Sequence, residues 1–347
     1  MTSKERWRAA VGRKGADKLP VDYWGTPEMT AKLLRELNLP AEDNLWSALG
    51  IDRTHHVWAE LVDPHREERN GADVWGVRYR TIDYARGAGS YVEAANHPLA
   101  GLETAGEVES YPWPDPDWWR VENVAGMCRE RESWPLFGGS FEPFNLYTGM
   151  RGLERAIEDM LENPEFLEAA LERIFHIHYE IIRNVLEAAN GAVDFVYVAE
   201  DMGTQESLLF SPRVFRTFLK ERMRKIIELA HRHGAFAFHH NDGAIRPLIP
   251  ELLGIGIDML NPVQWRCAGM DRGDLFRDFG DRISFHGAMD NQFTLPFGTP
   301  EDVRREVRDN VRLLGGNGGY VLAPCHNLQV ITPVQNVLAM YDEAHKL

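Results

Sequence analysis

From residue 135 onward, the chain alternates short apolar runs with longer amphipathic stretches. Apolar runs of this length predict buried strands, and they lie at residues 135–139, 194–199, 235–239, 257–260, 283–287 and 320–323. Between them, apolar residues spaced three and four apart predict helices, over residues 152–190, 212–233, 245–253, 275–279, 300–314 and 333–345. Because each crossover returns the chain to the same end of the sheet, this succession predicts a parallel sheet.

The amino-terminal part adds one strand and a less regular region. A helix is predicted within residues 1–18, a strand at 21–24 and a second helix over 27–37. With that strand the count approaches eight, which predicts a (β/α)8 TIM-type barrel with an elaborated N-terminal region, forming a single domain over residues 1–347. Short strand candidates at 55–58 and 74–80 predict that residues 52–120 are a hairpin- and loop-rich excursion from the barrel.

Charge and cysteine content narrow the class of protein. The chain has 347 residues and a net charge of -15, which disfavours nucleic acid and anionic membranes as partners. Three widely spaced cysteines without a CxxC pair make disulfides unexpected. The start of the chain lacks the apolar segment of a secretory signal, and no apolar run approaches the ~18 residues of a membrane span. We therefore expect a cytoplasmic protein.

Polar side chains follow five successive predicted strands, where a barrel would open into its active-site mouth. They are Glu200 and Asp201; His239, His240 and Asp242; Asn261 and Gln264; His286, Asp290 and Gln292; and Cys325, His326 and Asn327. Their convergence at one end of the sheet indicates an enzyme. For Glu200 and Asp201 the alternative is capping of the next helix, and for Asp290 it is holding a loop amide.

His240, Asp242 and His326 would supply the three protein ligands of a catalytic metal, with Cys325 as an alternate. The same His-x-Asp spacing without a metal fits an acid–base pair. The catalytic candidates are His240, Asp242, Glu200 and Asp290, and the candidates for substrate binding are Tyr23, Trp24, Asn261, Gln264 and His239. Trp58 and Phe144 are further candidates for an aromatic pocket, with ordinary packing as the alternative for each.

Four motifs resemble the uroporphyrinogen decarboxylase superfamily. They are Phe210-Ser211-Pro212-x-x-Phe215, His240-Asn241-Asp242-Gly243, the stretch 255–264 that ends in Asn261-Pro262-Val263-Gln264, and Thr332-Pro333-x-x-Asn336. The resemblance is dense from about residue 190 to the end of the chain and looser before it. It implies a (β/α)8 barrel, and the superfamily contains both porphyrinogen decarboxylases and methyltransferases that work with corrinoid proteins.

Two segments of this chain can be compared with the patterns of the two branches. Porphyrinogen decarboxylases carry an arginine-rich segment after the first strand, which holds the carboxylates of the substrate. Here residues 21–28 are acidic and aromatic and contain no arginine, so a polycarboxylate would be repelled. The methyltransferase branch binds zinc through an H-x-C pair and a later cysteine before Thr-Pro. In this chain those positions fall on His240, Asp242 and His326, with Cys325 adjacent.

Replacing sulfur by oxygen and nitrogen gives the metal harder ligands, which suits polarisation of an oxygen better than activation of a thiol. The resemblance therefore implies a zinc-dependent methyltransferase that moves a methyl group between a methylated small molecule and a corrinoid carried by a partner protein. A methyl ether, and thus O-demethylation, is the expected substrate chemistry. The alternatives are a metal-free lyase that uses His240 and Asp242 as acid and base on a small carboxylate, and a non-catalytic barrel that only binds a ligand.

Overall fold

The computed structural model describes residues 1–84 and 87–347. The strands in these ranges are β1 (His55–His56), β2 (Glu60–Leu61), β3 (Tyr79–Tyr84), β4 (Gly89–Ala94), β5 (Trp119–Arg120), β6 (Leu136–Phe141), β7 (Phe195–Ala199), β8 (Phe236–His240), β9 (Met259–Asn261), β10 (Ser284–Met289) and β11 (Tyr320–Pro324). In the main sheet they follow the order β1-β6-β7-β8-β9-β10-β11. All neighbours in that sheet are parallel, so the predicted α/β fold with a parallel sheet is confirmed.

The sheet curls, and one further segment contacts both of its edges. Val21 forms a parallel bridge with Leu322 of β11. On the other side, the backbone N–H of Asp52, just before β1, donates to the Val21 carbonyl at 2.9 Å. The segment at Val21, predicted as the first strand, therefore lies beside the last strand and next to the residues that lead into β1.

Helices cover the outside of the sheet at the positions that the apolar spacing predicts. The α-helices are Ser3–Val11, Pro27–Glu36, Glu42–Leu49, Ala105–Glu109, Val124–Glu130, Pro143–Arg151, Leu153–Asp159, Pro164–Ala189, Pro212–Val214, Lys220–Arg232, Ile249–Ile255, Arg272–Phe279, Thr294–Phe297, Pro300–Leu314 and Val334–Ala344. A π-helical turn, Phe215–Leu219, joins two of them. The predicted helix over 152–190 is in fact two helices, because Pro164 opens a new one at its first turn.

Alternation along the strands creates two apolar cores. One set of strand residues faces the inside of the curled sheet and packs around Trp7 of the first helix; it comprises Phe137, Phe195, Phe238, Met259 and Val321. The residues between them, such as Val196 and Ala237, belong to the larger core beneath the helices. Successive side chains of a strand point to opposite faces, so a residue two positions beyond an inner residue is directed to the inside again.

Within residues 52–120, two predicted strands differ from those in the structure. β1 belongs to the main sheet, and the strand expected at 74–80 begins only at Tyr79. β3 and β4 form an antiparallel hairpin, which is held to the carboxyl-terminal side of the sheet by the backbone N–H of Ser90, donating to Glu28 Oε1 at 3.2 Å, and by the Tyr84 hydroxyl, donating to Gln329. In the parts of the chain that the structure describes, no helix is long and apolar enough to cross a membrane.

Candidate metal centre and active site

His240 ends β8 and is directed into the mouth of the curled sheet, because it lies two residues beyond the inner residue Phe238. One ligand atom from each of Asp201, His240 and Asp242 lies within 4.8 Å of the others. Asp201 follows β7 and Asp242 follows β8, so two neighbouring strands supply the group. His240 Nε2 is 3.7 Å from Asp201 Oδ1. These three side chains can together bind a divalent cation.

The carboxylate of Asp242 is the feature of this group that best fits a bound cation. Its Oδ1 atom is buried and has no hydrogen-bond partner among the described residues, which costs roughly 1–3 kcal/mol or more unless something compensates the charge. Burial raises the pKa of Asp242, and His240 opposes that rise. The backbone N–H of Asp242 donates to Asp201 Oδ1 at 3.0 Å, which fixes the two acids relative to each other. A cation between them would satisfy the buried oxygen.

Two aromatic rings enclose the imidazole of His240. Trp24 stacks on it with centroids 5.7 Å apart and an interplanar angle of 28°. Tyr197 stacks on it at 5.7 Å and 27°. Burial and the nearby carboxylates, first among them Glu142, raise the pKa of Tyr197, so its hydroxyl stays protonated at neutral pH. The imidazole is therefore held in its plane by stacking against both rings.

A cavity of about 340 Å³ opens beside these rings. The described residues that line it are Asp22, Trp24, Thr54, His56, Trp58, Phe137, Ser140, Glu142, Tyr197 and Asn327. The rings of His56 and Trp58 are stacked almost parallel, at 5.0 Å and 3°. None of the lining residues named above is a lysine or arginine, and Glu142 and Asp22 add negative charge. The cavity therefore suits a small, flat, apolar or cationic group better than a polyanion.

A chain of buried hydrogen bonds runs from His240 across the inside of the sheet. His240 Nδ1 lies 2.5 Å from Asn261 Oδ1, and Asn261 Nδ2 lies 2.6 Å from His286 Nδ1. His286 Nε2 is 3.1 Å from Asp22 Oδ2, which also accepts the indole N–H of Trp24 at 2.9 Å. Asn261 and His286 are fully buried. Asn261, predicted to bind substrate, contacts His240 instead.

Several predicted site residues lie outside this group. His239 is fully buried and faces the helices, where Nδ1 donates to the Val198 carbonyl at 2.7 Å and burial lowers its pKa to about 3. Tyr23 also faces outward, with its hydroxyl 2.9 Å from Thr30 Oγ1. The expectation that His239 and Tyr23 contact substrate is thus not met, because each lies one residue away from an inward-facing position.

The predicted catalytic acids Glu200 and Asp290 have structural partners. Glu200 accepts the backbone N–H groups of Phe144 and Asn145 at 2.7 and 2.9 Å, at the start of the helix Pro143–Arg151. Burial raises its pKa well above the usual range, although these N–H groups oppose the rise. Asp290 pairs with Arg266 at 2.5 Å and accepts loop N–H groups. Asp290 therefore matches its alternative of holding loop amides, whereas Glu200 holds the start of an earlier helix and not of the next one.

The remaining predicted residues surround the site at different distances. Gln264 Oε1 accepts the N–H of Gly243 at 2.7 Å and supports the loop that carries Asp242. The His326 ring is 6.4 Å from the His240 ring, and it lies outside the group of three that converges within 4.8 Å. Cys325 is buried, and its thiol donates to the Val263 carbonyl at 3.4 Å. Phe144 is buried against Phe210 and does not line the cavity.

Three residues that surround His240 in the structure were not among the predicted site residues. Asp201 was noted after its strand but not as a metal ligand, and Glu142 and Tyr197 were not noted at all. Tyr197 lies two residues beyond the inner residue Phe195 and therefore faces the inside of the sheet, but only the packed structure shows that Phe195 is an inner residue. Glu142 directly follows β6. It is therefore a polar residue at the end of a strand, which is the pattern that identified the predicted site residues.

The fold and the site define an α/β protein with an acidic, aromatic mouth. The family model described as "Uroporphyrinogen decarboxylase (URO-D)" matches residues 82–347, and the chain belongs to this family. It is 24% identical over 293 residues to the uroporphyrinogen decarboxylase of Pseudoalteromonas translucida, covering 77% of this chain and 76% of that protein. The enzyme of the same name from Psychromonas ingrahamii is 24% identical over 292 residues, with the same coverage.

A solved structure shares the fold over the whole chain. A methyltransferase from Methanosarcina mazei superimposes with a TM-score of 0.68 and covers 100% of this chain and 99% of that one, at 20% identity. Similarity at that identity establishes the architecture. The chemistry has to be argued from the site itself.

Proposed function

We propose that this protein binds a divalent cation through Asp201, His240 and Asp242 and transfers a methyl group between a methylated small molecule and a corrinoid carrier protein. The buried, unpartnered Oδ1 of Asp242 beside two other donor groups carries the proposal. The donors are one imidazole nitrogen and two carboxylates, a set that zinc accepts and that is harder than a thiolate set. When bound, such a cation supplies Lewis-acid polarisation of a substrate oxygen.

The chain's own residues would orient the substrate next to that site. Trp24, Trp58 and Tyr197 line the cavity, and contact with their rings would hold a flat methoxylated group. The rings stacked on His240 also help to keep its imidazole buried from water. Methyl ethers fit this combination of aromatic walls and an oxygen-polarising site, which supports O-demethylation as the reaction.

The acidic mouth argues against a polycarboxylate tetrapyrrole. Glu142, Asp201 and Asp242 all lie near His240, and bringing further carboxylates beside them would cost electrostatic energy. Among the described residues that line the cavity, no lysine or arginine offsets this cost. Family membership alone therefore does not make this chain a porphyrinogen decarboxylase. The Methanosarcina mazei protein of the same architecture bears the name of a methyltransferase, which adds support to the proposal.

We also propose that residues 1–347 form one (β/α)8 barrel domain in which the segment at Val21 serves as the eighth strand. The bridge from Val21 to Leu322 and the hydrogen bond from Asp52 to Val21 support closure at this point. Closure would place Asp22 and Trp24 among the inward-facing residues, where both contact the site.

Two measurements test the function. Protein purified without chelator should contain close to one equivalent of zinc or another divalent metal by mass spectrometry. With free cob(I)alamin as acceptor and 2-methoxyphenol as donor, methylcobalamin should form, as followed by its absorbance, and the rate should fall when the metal is removed. A metal-free protein that binds neither zinc nor manganese on titration would contradict the proposal.

A metal-free lyase is the second candidate. An acid catalyst needs an oxygen that no other group occupies, and Asp242 Oδ1 beside His240 meets that condition. Two relatives that match in sequence are also decarboxylases by name. Carbon dioxide release from a carboxylate substrate by metal-free protein, unaffected by cob(I)alamin, would favour this candidate over methyl transfer.

A further inference from the structure

The buried chain from Asp22 to His240 contains two imidazoles and one amide, and each of its atoms has a limited hydrogen-bonding role. A carboxylate only accepts hydrogen bonds, whereas a neutral imidazole has one donor and one acceptor nitrogen. Asp22 Oδ2 therefore requires a proton on His286 Nε2, 3.1 Å away. In a neutral His286, Nδ1 is then unprotonated and accepts a hydrogen bond. The donor is the amide nitrogen of Asn261, 2.6 Å away.

The same reasoning continues to the cation site. With its Nδ2 directed to His286, Asn261 presents Oδ1 to His240 Nδ1. This oxygen accepts only, so His240 carries its single proton on Nδ1 and keeps a lone pair on Nε2. Nε2 is the nitrogen that lies 3.7 Å from Asp201. A metal binds the unprotonated nitrogen of an imidazole, and the hydrogen bond at the other nitrogen selects it.

We infer that Asp22 is a positioning residue that sets the tautomer of His240 from across the interior, through His286 and Asn261, and so prepares Nε2 to bind a cation. The inference rests on the proposed cation site. The surroundings make the arrangement rigid: His286 is fully buried and is packed by Trp7, Trp24 and Phe238 with ring centroids at 5.5, 5.7 and 5.2 Å. Asp22 itself is 3% exposed, so bulk water does not compete for His286.

Removing the acceptor at position 22 should exchange the donor and acceptor roles along the whole hydrogen-bond chain. In Asp22→Ala, His286 Nε2 no longer has an acceptor, so the proton can move to Nδ1. Asn261 then turns its oxygen to His286 and its NH₂ group to His240, which forces the His240 proton onto Nε2 and blocks the lone pair. Asp22→Asn is the matched control, because both donors in the structure bind the single atom Oδ2 and an amide oxygen at that place can accept them equally.

The first test reads the tautomers directly in metal-free protein labelled with ¹⁵N-histidine, at about pH 8.5, where free imidazole is neutral. Long-range ¹H–¹⁵N correlation spectra should show the proton on Nδ1 of His240 and on Nε2 of His286 in the wild type and in Asp22→Asn. Both should change in Asp22→Ala. Identical tautomers in wild type and Asp22→Ala, or a wild-type His286 protonated on Nδ1, would overturn the inference.

The second test titrates Zn²⁺ and Mn²⁺ into the same proteins. Affinity should fall about 10- to 100-fold in Asp22→Ala, as is usual for a partner behind a metal-bound histidine, and stay within about threefold in Asp22→Asn. Asn261→Asp is a second variant in case Asp22→Ala folds poorly: its carboxylate still accepts from His240 Nδ1, so affinity should hold, whereas Asn261→Leu should lose it. Equal affinities for Asp22→Ala and Asp22→Asn would contradict the inference.

The two tests separate the two proposals. If the wild type binds no metal, the proposed function fails, yet the tautomer spectra still decide whether Asp22 controls His240. If the metal binds and the tautomers do not respond to position 22, the proposed function stands and the role of Asp22 is refuted.

Discussion

The imidazole of His240 lies against the indole of Trp24 with ring centroids 5.7 Å apart. The same indole donates its N–H to Asp22, at the far end of the hydrogen-bond chain that reaches His240 through His286 and Asn261. Trp24 therefore restrains His240 in two ways. Its ring stacks on the imidazole, and its N–H holds Asp22 at the start of the hydrogen-bond chain that ends at His240. The candidate ligand is held in orientation by the protein alone.

The adjacent residues His239 and His240 offer a matched pair of substitutions. His240→Ala should abolish cation binding and leave the fold intact, since this side chain lies at a strand end in the mouth. His239→Ala should keep the cation site but lower the free energy of unfolding by about 2 kcal/mol or more, because it removes a fully buried ring and its hydrogen bond to the Val198 carbonyl. Metal titration and chemical denaturation of both variants measure the two effects. Metal loss in His239→Ala with retention in His240→Ala would refute the assignment.

The identity of the third ligand can be decided by comparing Asp201, His326 and Cys325. We expect Asp201→Asn to weaken metal binding by more than the roughly 10- to 100-fold typical of a residue behind a ligand. His326→Ala should weaken it less, because its ring is 6.4 Å from that of His240 and it lies outside the converging group. Cys325→Ser should change it least, since the thiol donates to a backbone carbonyl. Competition titrations with a chromophoric chelator give the three affinities, and a reversed order would restore His326 or Cys325 as the ligand.

The parallel sheet and the end of the sheet that holds the site could be predicted because apolar runs and the residues after them are local patterns. The direction of the alternation within each strand could not be predicted in the same way. His239 and His240, and likewise Tyr23 and Trp24, are adjacent, and only one of each pair faces inward. The inner residues Phe238 and Phe195 are known only from the packed structure. Nothing local distinguishes Phe238 from Ala237 as the inward one.

The ligand set was harder to predict because it depends on loops. Asp201 and Asp242 follow different strands, and the 3.0 Å hydrogen bond between them brings them together. The resemblance gave His326 by counting from Thr332-Pro333, but it could not place that ring relative to His240. Glu200 and Asp201 are adjacent, and they point in different directions because side chains alternate along an extended segment. Glu200 faces the helix Pro143–Arg151, whereas Asp201 faces His240.

Substrate affinity should depend on the aromatic cavity. Trp58 lines it and is 45% exposed, so Trp58→Ala should raise KM for a methoxylated aromatic several-fold with little loss of stability, because its ring provides stacking area for the substrate. Tyr23→Phe is the control: it removes only the hydrogen bond to Thr30, worth about 1 kcal/mol of stability, on the outward face. Steady-state kinetics and thermal unfolding of both variants check this. A raised KM in Tyr23→Phe with none in Trp58→Ala would show that the cavity is not the substrate site.

The pH dependence of stability should reveal the pair of His231 and Asp258. His231 Nε2 is 2.8 Å from Asp258 Oδ2, and the imidazole is 41% exposed. The hydrogen bond to this carboxylate raises the pKa of His231 above its ordinary value, against the opposing effect of burial. A pKa that is higher in the folded state means that the pair stabilises the fold fully below about pH 6.5, the unfolded value, and that this stabilisation is lost as the pH rises through the folded pKa.

We therefore expect His231→Gln to lower the free energy of unfolding by about 0.5 kcal/mol near pH 6, a small value because solvent screens a half-exposed pair. The difference from wild type should shrink as the pH rises through the raised pKa of His231 in the folded state and the imidazole loses its charge. His176→Gln, an exposed histidine on the helix Pro164–Ala189, serves as the control and should show no such trend. Urea denaturation across this pH range measures both variants. A destabilisation in His231→Gln that grows with pH would mean that Asp258 does not hold the charged form of His231.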